Sequence, residues 1–149
     1  TEIDDPSLSV PGCGVYGTPL CTITDPRTAL GTYSIDGNSL PQAAKWIGNA
    51  TLRYGFPFSD ASEVYFYTDW SYTGKVKFFL YDSEEFTSRG LLEGGVRIGY
   101  SWQDNKYDAA LFCRNCTDTI RVTGGIDFNN RTGFINDPRI VGVQFRANF

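Results

Sequence analysis

From Arg139 the chain reads Arg-Ile-Val-Gly-Val-Gln-Phe-Arg-Ala-Asn-Phe. Val141, Val143, Phe145, Ala147 and Phe149 fall on one parity; Gly142, Gln144, Arg146 and Asn148 fall on the other. Successive side chains along a strand point to opposite faces, so this pattern predicts one apolar face and one polar face. A helix would scatter the same residues around its whole circumference. Terminal residues commonly fray, whereas this alternation predicts a strand that runs to Phe149.

The same alternation recurs upstream. Ala44, Trp46, Gly48, Ala50, Leu52, Tyr54 and Phe56 share a parity, against Lys45, Asn49, Thr51 and Arg53, with Ile47 as the exception. Val64, Phe66, Thr68, Trp70 and Tyr72 oppose Glu63, Tyr65, Tyr67, Asp69 and Ser71. Leu92, Gly94, Val96, Ile98, Tyr100 and Trp102 oppose Glu93, Arg97 and Ser101. Tyr107, Ala109, Leu111 and Cys113 oppose Asp108, Ala110, Phe112 and Arg114. Together with the last segment this predicts an all-β chain of about five antiparallel up-and-down strands.

The connections carry a second pattern. Those near 57–62 and 103–106 are short, and those near 74–88 and 115–138 are long. Residues 1–43 hold most of the 7 prolines and many glycines, which predicts a long loop; residues 44–149 hold the strands. A loop of that length is unusual inside a compact soluble domain. Transmembrane barrels alternate short periplasmic turns with longer external loops, and their strands need only ~9–11 residues. No run approaches the ~18 apolar residues of a spanning helix. Aromatics near the strand ends, Trp46, Tyr54, Phe56, Tyr72, Tyr100, Trp102 and Tyr107, suit interfacial girdles. With the C-terminus periplasmic, both short turns are periplasmic and residues 1–43 form an external loop.

Particular motifs sharpen this expectation. Tyr107-Asp108-Ala109-Ala110-Leu111-Phe112-Cys113-Arg114-Asn115-Cys116-Thr117-Asp118 resembles the penultimate-strand motif of TonB-dependent outer-membrane receptors. Thr132-Gly133-Phe134-Ile135-Asn136-Asp137-Pro138-Arg139, followed by Val141 to Phe145, resembles their closing motif. Ile35-Asp36-Gly37-Asn38-Ser39-Leu40-Pro41 with Trp46 resembles the approach to an earlier strand. The likeness spans about residues 33–149 and is most specific over the last 45. Cys113 and Cys116 depart from it, standing where the family has a small and an aliphatic residue.

The resemblance implies the C-terminal portion of a bacterial outer-membrane transporter for a scarce nutrient such as a siderophore or saccharide. Five strands do not close a barrel, and transporters of this class have about 22 around a plugged lumen. The expected partners are therefore the rest of the barrel and its plug, TonB acting through that plug, the barrel assembly machinery and outer-membrane lipid. Val141, Val143, Phe145 and Phe149 would form the assembly signal. Tyr16, Tyr33, Tyr81, Arg89, Asn129, Asn130 and Arg131 are the expected ligand-facing loop residues.

The remaining residues bring little chemistry. With 17 acidic against 13 basic side chains and no His, there is no footprint for nucleic acid and no His-activated nucleophile. No enzyme activity, cofactor or metal is expected. Glu84-Glu85 and Asp4-Asp5 are neighbours whose side chains point apart, as in solvated loops. Cys13 and Cys21 are expected to pin their Pro/Gly-rich loop by a disulfide, worth about 2–3 kcal/mol in the chain-entropy model. Their spacing does not suit a zinc knuckle. Cys113 and Cys116 lack the helix N-terminus of a redox motif; a lipid-facing Cys113 and a loop Cys116, bridged or not, is the expectation. Asn49, Asn115 and Asn130 begin Asn-x-Ser/Thr sequons, which matter only in a secreted eukaryotic protein. Two other readings fit: a secreted, disulfide-pinned β-sandwich binding module, or a non-transporting subunit of an outer-membrane assembly.

Overall fold

The structure is a computed structural model that describes residues 2–14, 21–58, 60–127 and 131–148. It is all-β, with no helix among the described residues, hence none long and apolar enough to cross a membrane. In chain order the strands are β1 (Ser9–Val10), β2 (Tyr33–Ser34), β3 (Ile47–Pro57), β4 (Glu63–Thr73), β5 (Val76–Lys77) and β6 (Thr87–Ser88). They continue as β7 (Leu91–Trp102), β8 (Tyr107–Arg114), β9 (Val122–Asp127), β10 (Arg131–Ile135) and β11 (Ile140–Ala147).

The five long alternating segments form one antiparallel sheet in the order β11-β8-β7-β4-β3. This is the expected up-and-down meander, and it is open: among the described residues β3 and β11 each pair on one side only. Trp46, expected on the first strand, precedes β3. The last strand ends at Ala147, after which the Asn148 N–H donates to the Lys106 carbonyl at 2.8 Å; Phe149 lies outside the described residues.

Register turns the alternation into two faces. Val96, Cys113 and Val141 align across β7, β8 and β11, as do Ile98–Leu111–Val143, Tyr100–Ala109–Phe145 and Trp102–Tyr107–Ala147. The intervening rungs are Arg97–Phe112–Gly142, Gly99–Ala110–Gln144 and Ser101–Asp108–Arg146. A slip of one residue would exchange every side chain between the faces. The β7–β8 turn holds it in place: Gln103, Asp104 and Asn105 have φ of 51°, 54° and 64°, the left-handed backbone region that tight hairpin turns use to match the strands' twist.

The chain divides into two compact units. One contains the five-stranded sheet: Ile47–Tyr72, Leu92–Thr119 and Asp137–Phe149. The other gathers Thr1–Trp46, Thr73–Leu91 and Ile120–Asn136, the segments expected to be loops. These segments are more ordered than their Pro and Gly content suggests. β1 pairs with β2 and β5 with β6, while β9 and β10 form an antiparallel hairpin inside the connection expected to be irregular. Their core is Cys13, Cys21, Phe78, Tyr81 and Phe86, packed against Val10, Ile23, Val76, Phe79 and Val122. Cys13 and Cys21 are disulfide-bonded, with Cα atoms 6.0 Å apart.

Candidate functional site

The polar face of the sheet carries a connected network. Arg97 on β7 donates from Nε to the Tyr65 hydroxyl at 2.7 Å, and that hydroxyl donates to Asp108 Oδ2 at 2.7 Å. The other guanidinium nitrogens reach Asp108 Oδ1 and Gln144 Oε1. Four strands, β4, β7, β8 and β11, are thus tied through one planar cation. Arg97 and Asp108 are two same-face rungs apart, and the rung between them is Gly99–Ala110. That small pair leaves room for the Tyr65 ring to cross β7; a Cβ on Gly99 would strike it. On the neighbouring strands Arg53 pairs with Glu63 and lies 5.2 Å from the Tyr65 ring centroid.

Beside this network lies a hollow of about 790 Å³, lined by residues that include Tyr67, Asp69, Glu93, Arg97, Asn115 and Gln144. Both charge signs, hydroxyls and amides meet there with the Phe112 ring. Such a surface suits a polar, hydrogen-bonding ligand better than an apolar one.

One rim of the hollow is a tight knot built from residues 115–119 and 137–139. Asn115, only 6% exposed, sits at φ 43°. Its Nδ2 donates to the Thr119 carbonyl at 3.1 Å and the Asp137 carbonyl at 2.9 Å, and its Oδ1 accepts the Thr119 N–H at 3.3 Å. Asp118 pairs with Arg139 at 2.9 Å, and the Cys116 N–H donates to the Gly94 carbonyl at 2.8 Å. Cys113 and Cys116 are bonded to each other, with Cα atoms 5.7 Å apart. The Asn115 sequon therefore has its amide nitrogen engaged in the fold. Asn49 is exposed on β3; Asn130 lies outside the described residues.

The opposite face of the sheet is apolar and open. Val141 is 73% exposed, Val143 76%, and Phe145 and Leu111 63% each. Ile98, Leu52, Tyr54 and Phe56 are also more than half exposed. At the end of the sheet that carries the β7–β8 turn, Tyr100 and Tyr107 each stack on Trp102, with centroids 5.5 Å away in each case. Phe145 closes the group at 6.2 Å from Trp102.

Of the expected ligand-facing residues, Tyr16, Asn129 and Asn130 lie outside the described residues. Tyr81 and Arg131 come to the same end of the β9–β10 hairpin. Tyr81 is buried, stacked on Phe79 at 5.5 Å, and its hydroxyl donates to the Asp127 carboxylate; Asp127 is the register partner of Arg131. Arg131 pairs with Glu85 at 2.9 Å. Burial pulls the Glu85 carboxyl upward, but the Thr22 N–H at 2.8 Å, the Thr22 hydroxyl at 3.0 Å and Arg131 outweigh it and hold Glu85 below its ordinary value. Burial, then the Asp127 hydrogen bond and the charges of Asp127 and Glu85, push the Tyr81 phenol well above its ordinary value. Tyr33 is half-buried on β2 against Gly12. Arg89 is exposed and lines a second hollow of about 520 Å³ with Lys75, Asp82 and Glu84.

The Tyr65–Arg97–Asp108–Gln144 network went unassigned in the sequence, which placed these residues on the polar face without linking them. The hairpin register about residues 103–106 was the available signal, because it sets Asp108 two polar rungs from Arg97. No group of acidic or cysteine side chains among the described residues is arranged to hold a metal ion. No protein family, curated protein or solved structure matches the chain.

Proposed function

We propose that this chain forms part of the wall and external loops of an outer-membrane transporter of the TonB-dependent class. The transporter would take up a scarce nutrient, a siderophore, saccharide or similar solute. The observation that carries this reading is the uncovered apolar face of the five-stranded sheet. Each large apolar side chain stabilises a fold by about 1.5–3 kcal/mol when fully buried, and here Leu52, Tyr54, Phe56, Ile98, Leu111, Val141, Val143 and Phe145 are each more than half exposed. Lipid would cover that face. The aromatic group of Tyr100, Trp102, Tyr107 and Phe145 would sit at one bilayer interface, where amphipathic rings gather.

The lengths of three of the five strands support the same arrangement. β3 and β4 have 11 residues each and β7 has 12. At about 3.3 Å per residue and a tilt near 45°, they cross roughly 25–28 Å, close to the apolar band of such barrels. The open edges of β3 and β11 would meet further strands of the barrel, because hydrocarbon does not tolerate unpaired backbone groups. The polar face and its hollow would line the lumen, and a plug would couple the site to TonB. A β-sandwich would instead cover the apolar face with a second sheet and bury residues such as Val141 and Val143, which are exposed. A non-transporting subunit would share the wall but not bind a solute.

Sedimentation of the chain with and without detergent tests the reading. It should need detergent to remain dispersed and folded. A monodisperse, cooperatively folding monomer in plain buffer would defeat the proposal.

A further inference from the structure

The Cys113–Cys116 bridge starts from the rung Val96–Cys113–Val141 at the end of β8, where three stretches of the sheet are tied together. It spans Arg114 and Asn115 at the end of β8. Asn115, inside that span, has a left-handed backbone conformation, which asparagine adopts more readily than most residues with a Cβ when its side chain hydrogen-bonds locally. In that conformation its amide reaches Asp137, just before β11. The adjoining Cys116 N–H reaches Gly94 on β7, and the Thr117 hydroxyl lies 3.1 Å from the Leu92 carbonyl. Cys113, Arg114, Asn115, Asp137 and Pro138 all border the 790 Å³ hollow.

We propose that Cys113–Cys116 is a thiol-reducible latch: closed, it holds Asn115 on Asp137 and fixes that rim of the hollow; opened by a dithiol, it releases both. One thiolate of the dithiol attacks a sulfur of the bridge, breaking the Cys113–Cys116 bond and forming a mixed disulfide. The second thiol of the reagent then displaces the remaining cysteine. The dithiol ends as its own disulfide, and Cys113 and Cys116 end as two thiols that carry its two protons. Two electrons pass and no other reactant is needed. Without the bridge the Asn115 backbone is free to leave the left-handed region, and the hydrogen bonds from its Nδ2 to the Thr119 and Asp137 carbonyls lose their fixed geometry.

The second bridge of the chain supplies a contrast. Cys13 is 3% exposed and Cys21 9%, both within a packed core, whereas Cys113 and Cys116 are half-buried. Access favours attack on the latter pair. The latch is independent of the transport reading, because it concerns one turn and its partners within the sheet.

The test uses the full chain, folded and titrated with dithiothreitol. Alkylation followed by peptide mass spectrometry reports each bridge; hydrogen exchange reports the backbone. Cys113 and Cys116 should become alkylated at dithiothreitol concentrations at least tenfold below those that open Cys13–Cys21. Exchange in the peptides covering 113–119 and 136–140 should rise at least tenfold in step. The C113S/C116S variant should exchange at the opened rate without reductant and ignore dithiothreitol. Free Cys113 and Cys116 thiols in the air-oxidised protein would overturn the proposal. So would opening of both bridges together, or reduction of Cys113–Cys116 with no change in exchange at 136–140. The wild-type titration stands even if the variant fails to fold.

Discussion

The hydroxyl of Tyr65 on β4 donates to the carboxylate of Asp108 on β8 at 2.7 Å, although β7 runs between the two strands. The contact exists because β7 offers Gly99 where the tyrosine ring must cross. It makes the polar face of the sheet one cross-braced surface and not a row of independent rungs.

Removing only the hydroxyl isolates that brace. In Tyr65→Phe, Arg97 Nε and Asp108 Oδ2 each lose a partner, while the ring and its packing over Gly99 remain. Hydrogen bonds to charged groups contribute about 1.5–3 kcal/mol each, and partial exposure of Arg97 and Asp108 lowers the effect. The expected loss is about 1–2 kcal/mol, read from urea unfolding of the protein in detergent.

Filling the crossing point attacks the same brace from below. Gly99→Ala places a methyl group against the Tyr65 ring, and overpacking of this kind costs about 1–3 kcal/mol. If the clash is with Tyr65, the cost disappears in the Tyr65→Ala background. A double-mutant cycle measures this directly; additive losses would mean that Gly99 serves some other need.

Much of this sheet was legible in the sequence, and the reason is periodicity. A period of two over eight or more residues specifies strand and face and restricts pairing to one parity, and Val96, Cys113 and Val141, all of the apolar parity, fall on one rung. The turn residues Gln103 to Lys106 fixed the β7–β8 pairing. The connections were not legible in the same way. Val122–Asp127 and Arg131–Ile135 form a hairpin, but Gly124, Gly125 and Gly133 interrupt the alternation that would announce it. Tyr81 was legible as a loop aromatic and not as a core residue, because its burial depends on Phe78, Phe79, Phe86 and the Cys13–Cys21 bridge arriving together. Arg97 and Asp108 are 11 residues apart, and only the register brings them close.

Tyr81 gives the loop unit a pH response. Its phenol is pushed above the ordinary value of 10.0, first by burial and then by the hydrogen bond to Asp127. A raised folded-state pKa favours the protonated form. Its stabilisation is therefore fully present below about pH 10 and is lost as pH rises toward the folded-state value. Stability of this unit should fall above pH 10, in step with tyrosinate absorbance near 295 nm. Tyr81→Phe should remove the tyrosinate signal of this residue and flatten that slope. A full set of tyrosines titrating freely near pH 10 in the folded protein would contradict it.

The two faces of β11 make the membrane proposal testable with single charges. Val143 is 76% exposed in the chain by itself, and its neighbour Gln144 points to the other face, toward Arg97. In a water-facing sheet, Val143→Arg changes an exposed position and should alter stability by no more than ~0.5 kcal/mol. In a lipid-facing wall the same arginine must enter hydrocarbon or distort the bilayer around it, at a cost of about 2–4 kcal/mol near the midplane. Val141→Arg, one same-face rung nearer the Asn115 knot, should be penalised similarly or less as it approaches the interface. Gln144→Glu supplies the control: it keeps the shape, gives Arg97 a charged partner and leaves the apolar face untouched, so insertion should survive it. Folding yield into phosphatidylcholine vesicles, compared for the three variants, separates the cases. Equal yields for Val143→Arg and wild type would remove lipid as the cover of that face.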